Sequence, residues 1–168
     1  MRIILILAAL IALVWAGASQ IPLGFVLADP QANAVAGAVQ AALYAGLAGD
    51  AALGALVGGA IYDSLPAGTV PALYVALGPE SVRDRSDATG RGADHDVTVS
   101  VVSDAAGFAT AKAAAAAVSD ALLAAPVPAL DRGVAAHVLF RRARAVREDG
   151  GAGRRIDLTF RVRVEDDL

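Results

Sequence analysis

The chain has 168 residues, 57% of them hydrophobic and 18% charged: enough apolar residues for one buried core, and too many for a disordered polypeptide. It contains no cysteine, which excludes disulfides, thiolate metal sites and a cysteine nucleophile together. The formal net charge of -3 hides an uneven distribution, because eight of the fourteen basic residues are arginines between Arg141 and Arg163.

The first element in chain order is an unbroken apolar run, IILILAALIALVWAGA, from Ile3 to Ala18 behind Arg2. Ala16-Gly17-Ala18 has the small-x-small pattern of a signal-peptidase site. The run is shorter than the roughly 20 residues of a spanning helix. IPLGFVLA would lengthen it into a membrane anchor, although Pro22 and Gly24 count against that. A start codon placed too far upstream, or an apolar arm docked on a partner subunit, accounts for the same residues. Residues 1–30 read as an N-terminal extension and residues 31–168 as the folded domain.

ADPQAN (residues 28–33) ends the apolar run and offers Asp29 and Asn33 as helix caps. From Ala34 to Leu47 the stripe Val35, Val39, Leu43, Leu47 predicts a helix. Asp50 caps a second, short helix carrying Leu53, Leu56 and Val57, which Gly58-Gly59 stops. AIYDSLP reads as a short strand and ALYVALG (Ala72 to Gly78) as a buried strand, both punctuated by prolines.

After a charged loop, DVTVSVV alternates with the period of a strand. From Gly107 to Ala124 the spacing of Phe108, Ala111, Ala115, Val118 and Leu122 is helical. PVPALDRG leads into VAAHVLFRRARAVRE, and EDGGAG turns the chain into RRIDLTFRVRVE, a long hairpin. In its second strand Ile156, Leu158, Phe160, Val162 and Val164 face in, while Asp157, Thr159, Arg161, Arg163 and Glu165 face out. This order predicts an α+β domain: a mostly antiparallel sheet with helices packed on one face.

No catalytic set emerges from these elements. Asp94-His95-Asp96 stands where the loop runs into a strand, so His95 points away from its acidic neighbours and the three cannot converge on one metal. They read as solvated residues at the start of the strand. The GRG at residues 90–92 leads into a strand rather than a helix, unlike a phosphate loop. No serine lies in a nucleophile-elbow context, and neither His95 nor His137 has an orienting partner recognisable in sequence. The protein therefore reads as a non-enzyme with no cofactor.

The arginine hairpin has no nearby Tyr or Trp on which bases would stack. It suits sequence-blind contact with phosphates, salt bridges to acidic neighbours, or a solvated surface balanced by Glu148, Asp149 and Glu165 to Asp167.

The stretch YDSLPAGTVPALYVALGPESVRDRSDATGRGADHDVTVSVVSDAAGFATAKAAAAAVSDAL resembles the tail-completion, or tail-terminator, proteins of long-tailed phages and gene transfer agents. The likeness runs from about Ala34 to Glu165 and lies in the order and spacing of the elements. It implies a homo-oligomeric ring, usually of six subunits, on the head-proximal end of the tail tube. Such a ring halts tube polymerisation, meets a head-completion, adaptor or stopper protein, and lets DNA pass non-specifically through its lumen. It implies assembly in the cytoplasm, release as part of the particle, and no membrane partner.

On this resemblance Arg83 to Asp96 is an assembly loop, with Arg83, Asp84, Arg85, Asp87 and Arg91 at a subunit or tail-tube interface. Arg141, Arg144, Arg161 and Arg163 then face the lumen and its DNA, or another subunit. A working export signal does not fit such a protein, which favours a miscalled start or a docking arm for residues 1–30. The competing readings are an exported or membrane-anchored α+β binding domain and a head-side connector or stopper ring.

Overall fold

The computed structural model describes residues 30–88, 90–124, 129–148 and 153–166. By its contacts the chain divides into Met1–Pro30 and Gln31–Leu168. The apolar N-terminal run and the expected Asp29 cap lie outside the described residues.

Helix α1 (Pro30–Gly49) opens on a proline, whose fixed φ and missing N–H suit a first helical position. Asn33, expected as a cap, lies inside this helix. The predicted stripe Val35, Val39, Leu43, Leu47 is buried along its whole length. Asp50 does cap α2 (Ala51–Val57), its side chain accepting the Leu53 N–H at 2.7 Å. Gly58 ends α2 with φ at 61°, and its N–H bonds the Gly54 carbonyl at 2.9 Å. Among the described residues no single helix is long and apolar enough to cross a membrane.

Among the described residues five strands form one sheet: β1 (Ile61–Tyr62), β2 (Leu73–Asp84), β3 (Arg91–Ser103), β4 (Val134–Arg147) and β5 (Arg154–Asp166). Their order is β1-β2-β3-β5-β4; β1 runs parallel to β2 and the other neighbours are antiparallel. Helix α3 (Ala109–Leu123) packs on β3, β5 and β4, and α2 packs on α3 and β2. The buried side of α3 is largely alanine (Ala111, Ala114, Ala115, Ala121), which lets the helix lie close to the valine-rich face of β3. All five inward-predicted residues of β5 are buried, Phe160 and Val162 completely. The architecture is thus the expected α+β domain with a mostly antiparallel sheet.

β2 is longer than its sequence suggested. Pairing moves from Leu77↔Val99 directly to Glu80↔Val97, so Gly78-Pro79 bulges out of the ladder instead of ending the strand. A proline has no N–H for the ladder and is tolerated at such a bulge. The stretch expected as a loop from Arg83 to Asp96 is consequently mostly hairpin, with residues 85–90 as the connection. Backbone bonds from Arg85 N to Gly92 O (2.7 Å) and from Asp87 N to Gly90 O (2.9 Å) close it.

β4 lies at the sheet edge, is exposed over most of its length and carries two register shifts, at Ala135/His137 and at Phe140/Arg142. Gly133 leads into it with φ at 73°, and a Cβ there would stand 2.8 Å from Val164 Cγ1, so both conformation and space call for glycine.

Candidate functional site

The alternation of β3 sends His95, Val97, Val99 and Val101 to the helical side and Asp94 and Asp96 to the open side of the sheet. On β5 the same alternation brings Arg163 opposite Asp94 and Arg161 opposite Asp96. Arg161 grips Asp96 with two charge-assisted bonds, Nε to Oδ1 at 2.7 Å and Nη2 to Oδ2 at 2.6 Å, and reaches Asp94 Oδ2 at 3.4 Å. Asp94 also takes Arg85 Nε at 3.0 Å and lies 3.5 Å from Arg163 Nη1. Arg163 Nη2 donates to the Arg85 carbonyl at 3.3 Å and so ties the hairpin connection to β5. Gly92 makes room, since a Cβ there would stand 3.0 Å from that same Nη2.

The charges follow this geometry. Burial opposes ionisation of Asp94, but the hydrogen bond from Arg85 and the charge of Arg161 outweigh it and hold the carboxyl below the usual range. For Asp96 the hydrogen bond from Arg161 is the largest influence, and it too is held low against a smaller opposing effect of burial. A second cluster joins Ser100 Oγ to Asp157 (2.8 Å), Asp157 to Arg155 (3.0 Å) and Arg155 to Glu148 (3.4 Å).

The solvated reading of Asp94-His95-Asp96 is corrected here. Asp94 is 7% exposed and His95 is fully buried on the opposite side, its Nδ1–H donating to Glu80 Oε1 at 2.6 Å. The bulge turns Glu80 inward beside Val97 and so supplies the partner that the sequence did not reveal. Among the described residues no group of three His, Cys, Asp or Glu is placed to hold a metal.

Beside the ion pairs the open face dips into a concavity of about 520 Å³, lined by Arg83, Arg141, Arg142 and Arg161 with the hydroxyls of Ser81, Thr98 and Thr159. Asp96 is its one acidic lining residue apart from the inward-turned Glu80. The β2 bulge and the Phe140/Arg142 shift of β4 both lie at this concavity. Among the described residues Arg83 and Arg141 form no ion pair and are exposed.

The structure therefore gathers Arg83, Arg141 and Arg161 round one concavity, and Arg85 and Arg163 round Asp94. Asp84 ends β2 at the edge of the hairpin turn, and the hydroxyl and N–H of Ser86 bond its carboxylate and lower its proton affinity. Asp87 stands in that turn, its carboxylate accepting the Gly90 N–H at 3.0 Å, and Arg91 opens β3. Arg144 stands apart on β4, opposite Asp157. Sequence reasoning missed Glu80 and the pairing roles of Asp94 and Asp96. A signal existed: two aspartates two residues apart on one strand and two arginines two residues apart on another.

Fold and site together define a small α+β domain whose most developed surface is an open, ion-paired sheet face. The tail completion protein gp17 family profile matches residues 41–165, and the chain belongs to that family of virion structural proteins. It is similar to a chain in the virion of a native gene transfer agent particle, with 59% identity and a TM-score of 0.74, over 78% of this chain and 97% of that one. No curated protein sequence matches it.

Proposed function

We propose that this protein is the tail terminator of a phage-like particle of the gene-transfer-agent kind. Identical subunits close into a ring that seats on the head-proximal end of the tail tube, stops its growth and offers its other side to a head-completion protein. The lumen stays open for DNA. The work is assembly rather than catalysis and requires no cofactor; the ring forms in the cytoplasm and leaves within the released particle.

The observation that carries this reading is the family match over residues 41–165, which takes in α3 and all five strands but for the last residue of β5. The 59% identity to a gene transfer agent virion chain supports the particle type. The hairpin tip, with Arg83, Asp84, Arg85, Asp87 and Arg91, is the contact to a neighbouring subunit or the tube. Native mass spectrometry of the protein from its producing cells tests the ring. A mass of about six subunits is expected by the family resemblance, and a strict monomer would refute the proposal.

A further inference from the structure

The sheet leaves both of its edges open. β1 pairs only Ile61 and Tyr62 with Val75 and Ala76, so among the described residues β2 has no strand on its outer side from Leu77 onward, and β4 has none along its length. No backbone hydrogen bond from another described element covers the outer side of either stretch. An open edge presents a row of unpaired N–H and C=O groups, which proteins normally blunt with charge, proline or a bulge. Here those devices bound the open stretches instead of interrupting them. On β2 the Gly78-Pro79 bulge stops just short of residues 80–84. On β4 the two register shifts enclose His137-Val138-Leu139-Phe140, which holds no lysine, arginine or proline; the arginines begin at Arg141.

We propose that residues 137–140 of β4 pair antiparallel with the end of β2 in a second copy of this chain, so that the sheet continues from subunit to subunit. The inference rests on the ring reading and deepens it. Strand sense supports it. β2, β3, β5 and β4 are each antiparallel to the next, so β4 runs opposite to β2. A copy that continues the sheet with the same face outward therefore brings its β2 antiparallel to β4. The contact joins two different edges of one subunit, the head-to-tail kind that generates rings when its rotation closes.

The side chains at the two edges match. Phe140 is 45% exposed although its ring packs edge-on against Phe160, and Val82 is 40% exposed. Phe140 is registered with the inward-facing Phe160 and Val82 with the inward-facing His95, so both stand on the helical side of the sheet. Setting Phe140 opposite Val82 of the next copy buries the exposed apolar residue of each edge against the other. The neighbouring pair is then Leu139 opposite Arg83. Both stand on the open side, since Leu139 is registered with Arg161 and Arg83 with Asp94. Leu139, 44% exposed, there covers the alkyl stem of the arginine and leaves its charge in water.

The chain has no cysteine, so introduced pairs report the contact directly. V82C/F140C and R83C/L139C occupy adjacent cross-strand pairs. Antiparallel pairs alternate between wide and close, so one of the two has the short separation that a disulfide needs. R83C/L139C changes only exposed side chains and tests the contact even where loss of Phe140 harms folding, which circular dichroism melts of each variant establish. On oxidation of the full chain, at least one double variant is expected to give a ladder of covalent multimers on a denaturing gel, while the four single variants run as monomers. A ring that persists in native mass spectrometry with no ladder from either folded double variant would overturn the edge contact and leave the ring standing. A covalent dimer from F140C or L139C alone, without a ladder from the double variants, would overturn it in favour of a two-fold contact between β4 edges. A parent protein that is monomeric at every concentration would remove the ring reading itself, and this inference with it.

Discussion

Replacing His95 by phenylalanine tests the buried pair that the β2 bulge creates. The change keeps a flat aromatic ring and deletes the 2.6 Å bond from Nδ1 to Glu80 Oε1. Hydrogen bonds to charged groups contribute about 1.5–3 kcal/mol, and removing one partner of a fully buried pair costs about 3–5 kcal/mol. The Glu80 side chain is 17% exposed, so water reaches it in part and the lower range applies. We expect a loss of about 2 kcal/mol, read from urea unfolding by linear extrapolation at one fixed protein concentration, since oligomerisation couples to stability. Glu80→Met combined with His95→Phe replaces both partners by apolar groups, and this double variant should recover most of the loss. A single variant within about 0.5 kcal/mol of the parent, the range of ordinary surface changes, would mean that the pair is not formed and that the bulge register is wrong.

Asp94 and Asp96 give a pH prediction with a definite sign. Both carboxyls are held below their unfolded values, so their contribution is complete above the unfolded pKa and is lost as pH falls through the folded one. Melting temperature should therefore drop more steeply below about pH 4 in the parent than in D94N/D96N, a comparison that melts from pH 7 to pH 2.5 would make. Gly133→Ala should cost about 1–3 kcal/mol in the same urea assay, because φ is 73° there and Val164 Cγ1 blocks the new Cβ. Phe160→Ala, at a fully buried site, should cost about 3–5 kcal/mol and serves as the reference for a large core loss.

Elements whose signal is local were legible in the sequence. The β5 alternation, the four-residue stripe of α1 and the Asp50 cap each depend on neighbours within a few positions, and each stands in the structure as expected. What was not legible depends on register between distant strands. Gly78-Pro79 carries the usual signature of a strand end, and only pairing with β3 makes it a bulge, which then lengthens β2 and turns Glu80 inward. The pairing of Asp96 with Arg161 spans 65 positions, so alternation told which side each residue faced but not which residues met. The arginine-rich hairpin was visible as composition. Its division into ion-paired Arg161 and Arg163 and exposed Arg141 and Arg144 follows only from the sheet order, which places β5 between β3 and β4.

The most direct test of the central claim is electron microscopy of particles from producing cells in which the coding sequence is deleted. A tail terminator predicts tails that fail to join heads and run past their normal length, restored when the chain is supplied in trans. Tails of normal length, joined to heads in the absence of the protein, would contradict the account.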